Sequence, residues 1–329
     1  LLRLASLDKK NTKKYEKIKF KLIERRERKS VKVMKRLLAT LEELIPTLEK
    51  HNITMGLADL NEVDLKLISI NTPKHYVSFE SLPNTYVSKT NIDLVDVDTS
   101  IKPLSALFNL FSGKSYHMSR FFSKSFEDAL VKELETVDYD VILFESIFLS
   151  EYLPIIKKHS KAKLVLRSHN IEYLIWKRIA IKETYFLKKK YLTILADRLE
   201  KEELNLVSNY DAMICVSEKD ETFFKTNGFT NPSTTIPIGI DVTKSLKFDK
   251  DEIIYPNLFM LGALDWMPNQ EGILWFLDEV WPRLINDFPT LKLHIAGRRP
   301  PSSIMAIQKE GVKIHGEIED AAKFIKQNA

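Results

Sequence analysis

The chain is predicted to be an α/β protein of two domains, each built around a buried parallel sheet. Three observations carry that expectation. Short apolar, β-branched runs alternate with helical segments from about residue 63 onward, the pattern of βαβ units around a buried parallel sheet. Polar residues collect just after those runs, where open parallel sheets hold their ligands. A polar stretch, Asp241–Pro256, separates two strand-rich blocks. With 329 residues there is room for two ordinary domains. Hydrophobic residues make up 44% and charged residues 29%, which excludes a disordered chain.

Residues 1–36 are read as a basic helical extension. They hold 15 Lys or Arg against 4 Asp or Glu, an excess of +11 within a net charge of +5, so the remainder carries −6. Their apolar stripe (Ile18, Phe20, Leu22, Ile23, Val31, Val33) is broken. Such a segment is either a solvated helix or an arm for an anionic membrane surface. Nucleic acid is not expected as a partner, because no aromatic stacking platform or base-reading motif accompanies the charge.

Residues 37–241 form the expected amino-terminal domain. Its strands are read in "VDLKLISIN" (63–71), "IDLVDVD" (92–98), "YDVILFES" (139–146), "AKLVLRSHN" (162–170), "YDAMICVSE" (210–218) and "TTIPIGID" (234–241). Helices are expected at 126–137, over the long charged region from about 172 to 208, and at 219–228, where Gly228 should terminate the helix. Residues 242–329 form the expected second domain. Its strands are "NLFMLGALD" (257–265), "LKLHIAGRR" (291–299) and "VKIHGEI" (312–318). An amphipathic helix is expected over 269–284, capped by Asn269 and bent or ended by Pro282.

Several chemistries are excluded or disfavoured. The single cysteine, Cys215, excludes an internal disulfide and a multi-cysteine metal site and fits a reducing compartment. No HExxH, GxSxG, GxGxxG or Walker A pattern occurs, and no metal is expected. No run of about 18 apolar residues is present, so a spanning helix is not expected, and no signal peptide is read at the start. Without an initiator Met, the chain reads as a fragment.

The pieces that carry chemistry are few. His169, in "RSHNIE", directly follows a buried strand. A lone histidine is usually structural, but an imidazole at a strand end can hydrogen-bond a substrate hydroxyl or sense pH. "IAGRRPP" is either a solvated turn stiffened by two prolines or an anion clamp, since guanidinium matches phosphate oxygens in bidentate fashion. "GALDWMPN" leads into a helix whose N-terminus favours an anion. Ser217 follows another buried strand.

"LRSHNIEYLIWKR", "NYDAMICVSEKDETFFKTNGF", "TIPIGID", "LGALDWMPNQEGILWFLDEVWPRL", "LKLHIAGRRPP" and "GEIEDAAKFI" together resemble a family 4 glycosyltransferase of the GT-B fold, of the bacterial exopolysaccharide or capsule type. "INTPKHYV" and "NLFSGKSYHMSRFFS" (109–123) are similar to that group's amino-terminal domain. The resemblance covers roughly residues 63–329. It implies two Rossmann-like domains, the amino-terminal one for the acceptor and the carboxyl-terminal one for a nucleotide-diphosphate sugar. It implies retention of anomeric configuration and a cytoplasmic protein, peripheral on the inner face of the plasma membrane. The acceptor would be a saccharide or lipid-linked, with no cofactor and no metal. By position, His169 matches the histidine near the transferred sugar, with Asn170, Glu172 and Ser217 on the acceptor or cleft side. Gly262, Asn269, Arg298 and Gly316 match donor-side positions. The family's amino-terminal glycine-rich loop is not recognisable. Its E-x7-E segment would lie beyond residue 329, so residues 242–329 would be a truncated donor domain, and two readings stand: a glycosyltransferase, inactive in this fragment for want of that segment, or a catalytically incompetent fragment retaining only a binding role.

Overall fold

The computed structural model describes residues 2–3, 53–60, 62–102, 108–109, 112–238 and 256–328. Apart from residues 2–3, the expected basic extension lies outside the described residues, as do residues 37–52 and residues 239–255. The chain divides into two compact units, Leu1–Val242 and Thr243–Ala329.

The first unit runs β1 (Leu2–Arg3), α1 (Ile53–Ala58), β2 (Asp64–Leu65), β3 (Ile68–Asn71), α2 (Asn84–Thr90), β4 (Asp93–Asp96), α3 (Tyr116–Ser119), α4 (Lys124–Thr136), β5 (Val141–Phe144), α5 (Leu153–His159), β6 (Lys163–Ser168), α6 (Glu172–Lys182), α7 (Phe186–Val207), β7 (Ala212–Cys215), α8 (Glu218–Thr226) and β8 (Ser233–Thr235). Among the described residues the main sheet has the order β2-β1-β5-β6-β7-β8, and β3 pairs only with β4. From β5 to β8 every pairing is parallel. The expected extension differs at its start: β1 lies antiparallel between β2 and β5.

The apolar strands have no polar face because both faces are covered. Ile142, Phe144, Leu164, Leu166, Met213 and Cys215 face one core. Their alternates Val141, Val165, Ala212 and Ile214 face another, with Leu57 and Ile236. Phe126, Leu130 and Leu134 of α4 join the first core at four-residue steps, each burial stabilising by about 2 kcal/mol. The charged region after 172 is a hairpin of two helices, not one long helix. The break lies at 183–185, where the Glu183 carboxylate accepts from the N–H groups of Thr184 and Tyr185.

Gly228 ends α8 as expected. It adopts φ +98°, the Gly228 N–H donates to Lys225 and the Phe229 N–H donates to Phe224. Those two bonds make a Schellman cap, with both Phe224 and Phe229 buried.

The second unit runs β9 (Asn257–Leu261), α9 (Met267–Trp275), a π-helical turn (Phe276–Val280), α10 (Trp281–Asp287), β10 (Lys292–Ala296), α11 (Ser302–Met305), β11 (Val312–Gly316) and α12 (Ala321–Asn328). Its sheet is parallel, in the order β11-β10-β9. Two expectations for its first helix need correction. Asn269 does not cap it. The cap position is Trp266, and the Asn269 side chain instead donates to the Ala263 carbonyl at 2.9 Å. Nor does Pro282 end it. The π turn precedes Trp281, so Pro282 falls in the first turn of α10, where a missing N–H costs little. Of the expected stripe, Ile273, Leu277 and Trp281 are buried, while Val280 and Leu284 are only partly so.

Candidate functional site

In the first unit the polar groups converge where β5 and β6 end. Glu145 follows β5, Arg167 and Ser168 close β6, and His169 opens the next loop. One Glu145 oxygen accepts both the Arg167 Nη1 hydrogen bond and the His169 Nε2 hydrogen bond, each at 3.0 Å. Burial of Glu145 works to raise its pKa, but the His169 hydrogen bond and the Arg167 guanidinium outweigh it and hold the group below the usual carboxylate range. Glu145 is therefore ionised at neutral pH and takes a proton donor, which places a hydrogen on His169 Nε2; in the neutral ring Nδ1 is then the acceptor. The buried Arg167 Nε has no hydrogen-bond partner among the described residues. The Tyr86 phenol of α2 also senses this cluster: burial and then the Glu145 charge push its pKa up.

The His169 loop is short and held at both ends. Ser168 Oγ donates to the Asn170 carbonyl at 3.0 Å. Helix α6 then begins at Glu172, with no side-chain cap of its own. Its first amides are met from α7. Glu203, only 1% exposed, accepts from the N–H groups of Glu172 at 3.0 Å and Tyr173 at 2.9 Å. Burial pushes the Glu203 carboxyl up to about 7, with the Glu172 charge adding to the effect against the two backbone hydrogen bonds. Glu172 is itself raised, chiefly by burial, and Asn170 Nδ2 reaches it at 3.5 Å.

Sequence reasoning passed over Glu203, and it singled out Ser217 for a different task. The signal for Glu203 was its register: Leu195, Leu199, Glu203 and Val207 recur every four residues, placing a carboxylate on the buried stripe of α7. Ser217 is the N-cap of α8, and its hydroxyl accepts from the Asp220 N–H at 3.1 Å. A hydroxyl so engaged caps the helix and keeps its own O–H to donate. A further feature of this unit is a cavity of about 530 Å³ lined by Asp98, Lys102, Asn109, Tyr116 and Arg120 among others. Beside Tyr116 in sequence, His117 is buried and stacks on Trp176 of α6 at 3.7 Å between ring centroids. Burial, then the nearby Arg120 charge, lower its pKa to about 4, so it is neutral at physiological pH.

In the second unit three strand ends meet. The Gly262 N–H donates to Ala296, the Leu264 N–H to Arg298 and the Gly297 N–H to Gly316. A Cβ at Gly297 would lie 1.6 Å from the Gly262 carbonyl oxygen, so only glycine permits this approach. Gly316 needs glycine for its backbone, at φ +74°. At Gly262 the crowding comes from Asn269 Nδ2, 3.3 Å from where a Cβ would stand.

Above these turns sit two guanidinium groups. Arg298 Nε and Arg299 Nη1 lie 4.0 and 3.9 Å from the two oxygens of Asp265, at the edge of ion-pairing distance. The Arg298 side chain is 53% exposed. Arg299 adopts φ +51°, and its N–H donates to Glu317. The start of α9 offers fewer amides than the sequence suggests. Pro268 has none, and the N–H groups of Asn269 and Gln270 both donate to the Trp266 carbonyl. Positive charge here comes from the arginines more than from the helix end. Residues 255–329 match the family model for glycosyl transferases group 1.

The glycosyl transferases group 1 match thus takes in all three glycine turns, both arginines and Asp265. A separate similarity extends the picture. The chain is 33% identical over 161 residues to an "Uncharacterized 44.6 kDa protein in cps region" of Klebsiella pneumoniae. That alignment takes in 48% of this chain and 39% of that protein, so the chain spans well under half the length of the relative it matches. Among the described residues, no group of three or more His, Cys, Asp or Glu could hold a metal ion, and no helix is long and apolar enough to cross a membrane.

Proposed function

We propose that the protein is a glycosyltransferase acting in cell-surface polysaccharide synthesis. It would move a sugar from a nucleotide-diphosphate donor to a saccharide or lipid-linked acceptor with retention of configuration. The observation that carries this reading is the glycosyl transferases group 1 match, which falls on the segment holding Arg298, Arg299 and the glycine-built strand ends. The relative from a cps region supports the polysaccharide setting.

In this reading Arg298 and Arg299 take the donor diphosphate, drawing away from Asp265 to form charge-assisted hydrogen bonds. They stabilise the charge that develops as the bond from the sugar C1 to the diphosphate oxygen breaks. The new bond forms from C1 to the acceptor hydroxyl oxygen, and the hydroxyl proton passes to the departing diphosphate. His169 Nδ1 accepts from a hydroxyl of the transferred sugar, while Glu145 and Arg167 fix the ring. The residue 1–242 unit takes the acceptor, and Asn170 and Glu172 border its path.

Two measurements test this. In a form of the protein that transfers sugar, replacing His169 by alanine should lower transfer by about 100-fold or more, the scale of a positioned polar group at the reacting centre. Because His169 is a half-exposed loop residue, the melting temperature should stay within a few degrees. Near-normal turnover in H169A would remove the catalytic assignment. Arg298→Ala should weaken nucleoside-diphosphate binding by about 1.5–3 kcal/mol and leave binding of the bare nucleoside unchanged. Equal losses for both ligands in calorimetry would mean that Arg298 does not meet phosphate. A panel of nucleotide sugars that do not bind this chain even at millimolar concentration would overturn the proposal as a whole.

A further inference from the structure

The helical hairpin of α6 and α7 ends in a tip that hides none of its apolar side chains. Ile181, Tyr185, Phe186 and Leu187 are each 63–72% exposed, and every residue from 181 to 190 except Glu183 is exposed. Four large apolar side chains within seven positions are unusual on a solvated turn, since contiguous exposed apolar patches mark contact sites. The tip is nevertheless built and held. Glu183 binds the Thr184 and Tyr185 amides and pairs with Lys188, and Lys189 Nζ donates to the Ile181 carbonyl. These bonds fix the turn with Tyr185, Phe186 and Leu187 turned outward.

Charge says what the tip meets. Between residues 177 and 190 the sequence carries Lys177, Arg178, Lys182, Lys188, Lys189 and Lys190 against the single acid Glu183. Apolar side chains at the apex with a collar of cations behind them match an anionic bilayer: the apex enters the headgroup boundary and the collar meets lipid phosphates. A protein partner fits less well, because the cores of protein interfaces are depleted in lysine.

We propose that the 178–190 tip docks the protein on an anionic lipid surface. Phe186, Leu187 and Tyr185 enter the interface, and Arg178 and Lys190 contact phosphate. This inference rests on exposure and charge, and it stands whether or not the protein transfers sugars. The α6 helix has 11 residues, about 16 Å of rise at 1.5 Å per residue. Docking at its far end would hold the His169 loop close above the bilayer.

The test is flotation of the full chain with phosphatidylcholine vesicles, with and without phosphatidylglycerol. The expected result is binding only to the phosphatidylglycerol vesicles, weakening as salt rises above about 0.1 M. The double variants Phe186→Ser/Leu187→Ser and Arg178→Glu/Lys190→Glu should each reduce binding by about tenfold or more with the melting temperature unchanged. As an independent readout, Phe186→Trp should add a fluorescence component that blue-shifts on anionic vesicles and is quenched by brominated lipid. No binding to phosphatidylglycerol vesicles would overturn the proposal. So would binding that both double variants retain, or an added indole fluorescence indifferent to lipid. A concentration-dependent self-association abolished by the Phe186/Leu187 variant, without vesicle binding, would assign the tip to a protein contact instead and overturn it equally.

Discussion

Gly297→Ala is expected to unfold the second unit. The added methyl would stand 1.6 Å from the Gly262 carbonyl oxygen, 2.8 Å from its carbon and 3.1 Å from Leu264. The obstruction is backbone, which cannot rotate away as a side chain can. To admit it, the turns must part, breaking the bonds Gly262 N–H to Ala296, Leu264 N–H to Arg298 and Gly297 N–H to Gly316. At about 1 kcal/mol net for each, plus the packing lost behind Leu264, the cost is about 4 kcal/mol or more. That rivals the whole stability of a small unit. Hydrogen exchange followed by mass spectrometry should show β9, β10 and β11 unprotected while β5 to β7 stay protected. Gly316→Ala is the control. It has φ +74° but nothing nearer than 3.5 Å, so it should cost only about 1–2 kcal/mol. Wild-type protection in G297A would show that the turns are not packed as described.

The second large effect is a stability that falls with pH through Glu203. Its carboxyl is raised to about 7 in the folded protein from an ordinary value of 4.5. Between those values the folded chain holds a proton that the unfolded chain has released, so folding is favoured at low pH. The contribution is complete below about pH 4.5 and is lost as pH rises through about 7. A shift of that size corresponds to about 3 kcal/mol at most. Glu203→Gln removes the titration. Compared with wild type, the variant should be less stable at pH 5, where it gives up one of two accepted hydrogen bonds. Near pH 8 it should be as stable or more so, where wild type must bury a charge. Glu203→Leu, which leaves the Glu172 and Tyr173 amides unmet, should cost about 2–4 kcal/mol at pH 5. Parallel stability curves for wild type and E203Q across this range would refute the account.

Much of the parallel-sheet framework was legible because apolar runs such as "VILF" at β5 and "AMIC" at β7 admit few other readings. Gly228 was legible because a Schellman cap is a local event. His169 could be placed at a strand end but not given partners: Glu145 lies 24 residues earlier, and only the β5–β6 pairing brings the two together. Glu203 was hidden by its setting, since a glutamate among "EKEELN" looks solvated until the helix phase is known. Asn269 shows the opposite error. Cap-forming residues are recognised by type, yet three positions into the helix the same amide ties down the preceding turn.

The π turn at Phe276–Val280 has a consequence for how its helix can change. A turn closed over five residues takes in one more residue than an α turn, an offset of about 100°. It therefore works as a phase shifter between two consecutive helices. Upstream, Ile273 and Leu277 set the inward direction. Downstream, Trp281 points inward and donates its indole N–H to the Glu310 carbonyl, and Val280 yields the centre of the stripe to it. The segment is thus constrained in number more tightly than in kind. An exchange of one apolar residue for another within it alters packing locally. Adding or deleting a single residue would rotate everything from Trp281 to Asp287, turning the indole from the core towards water.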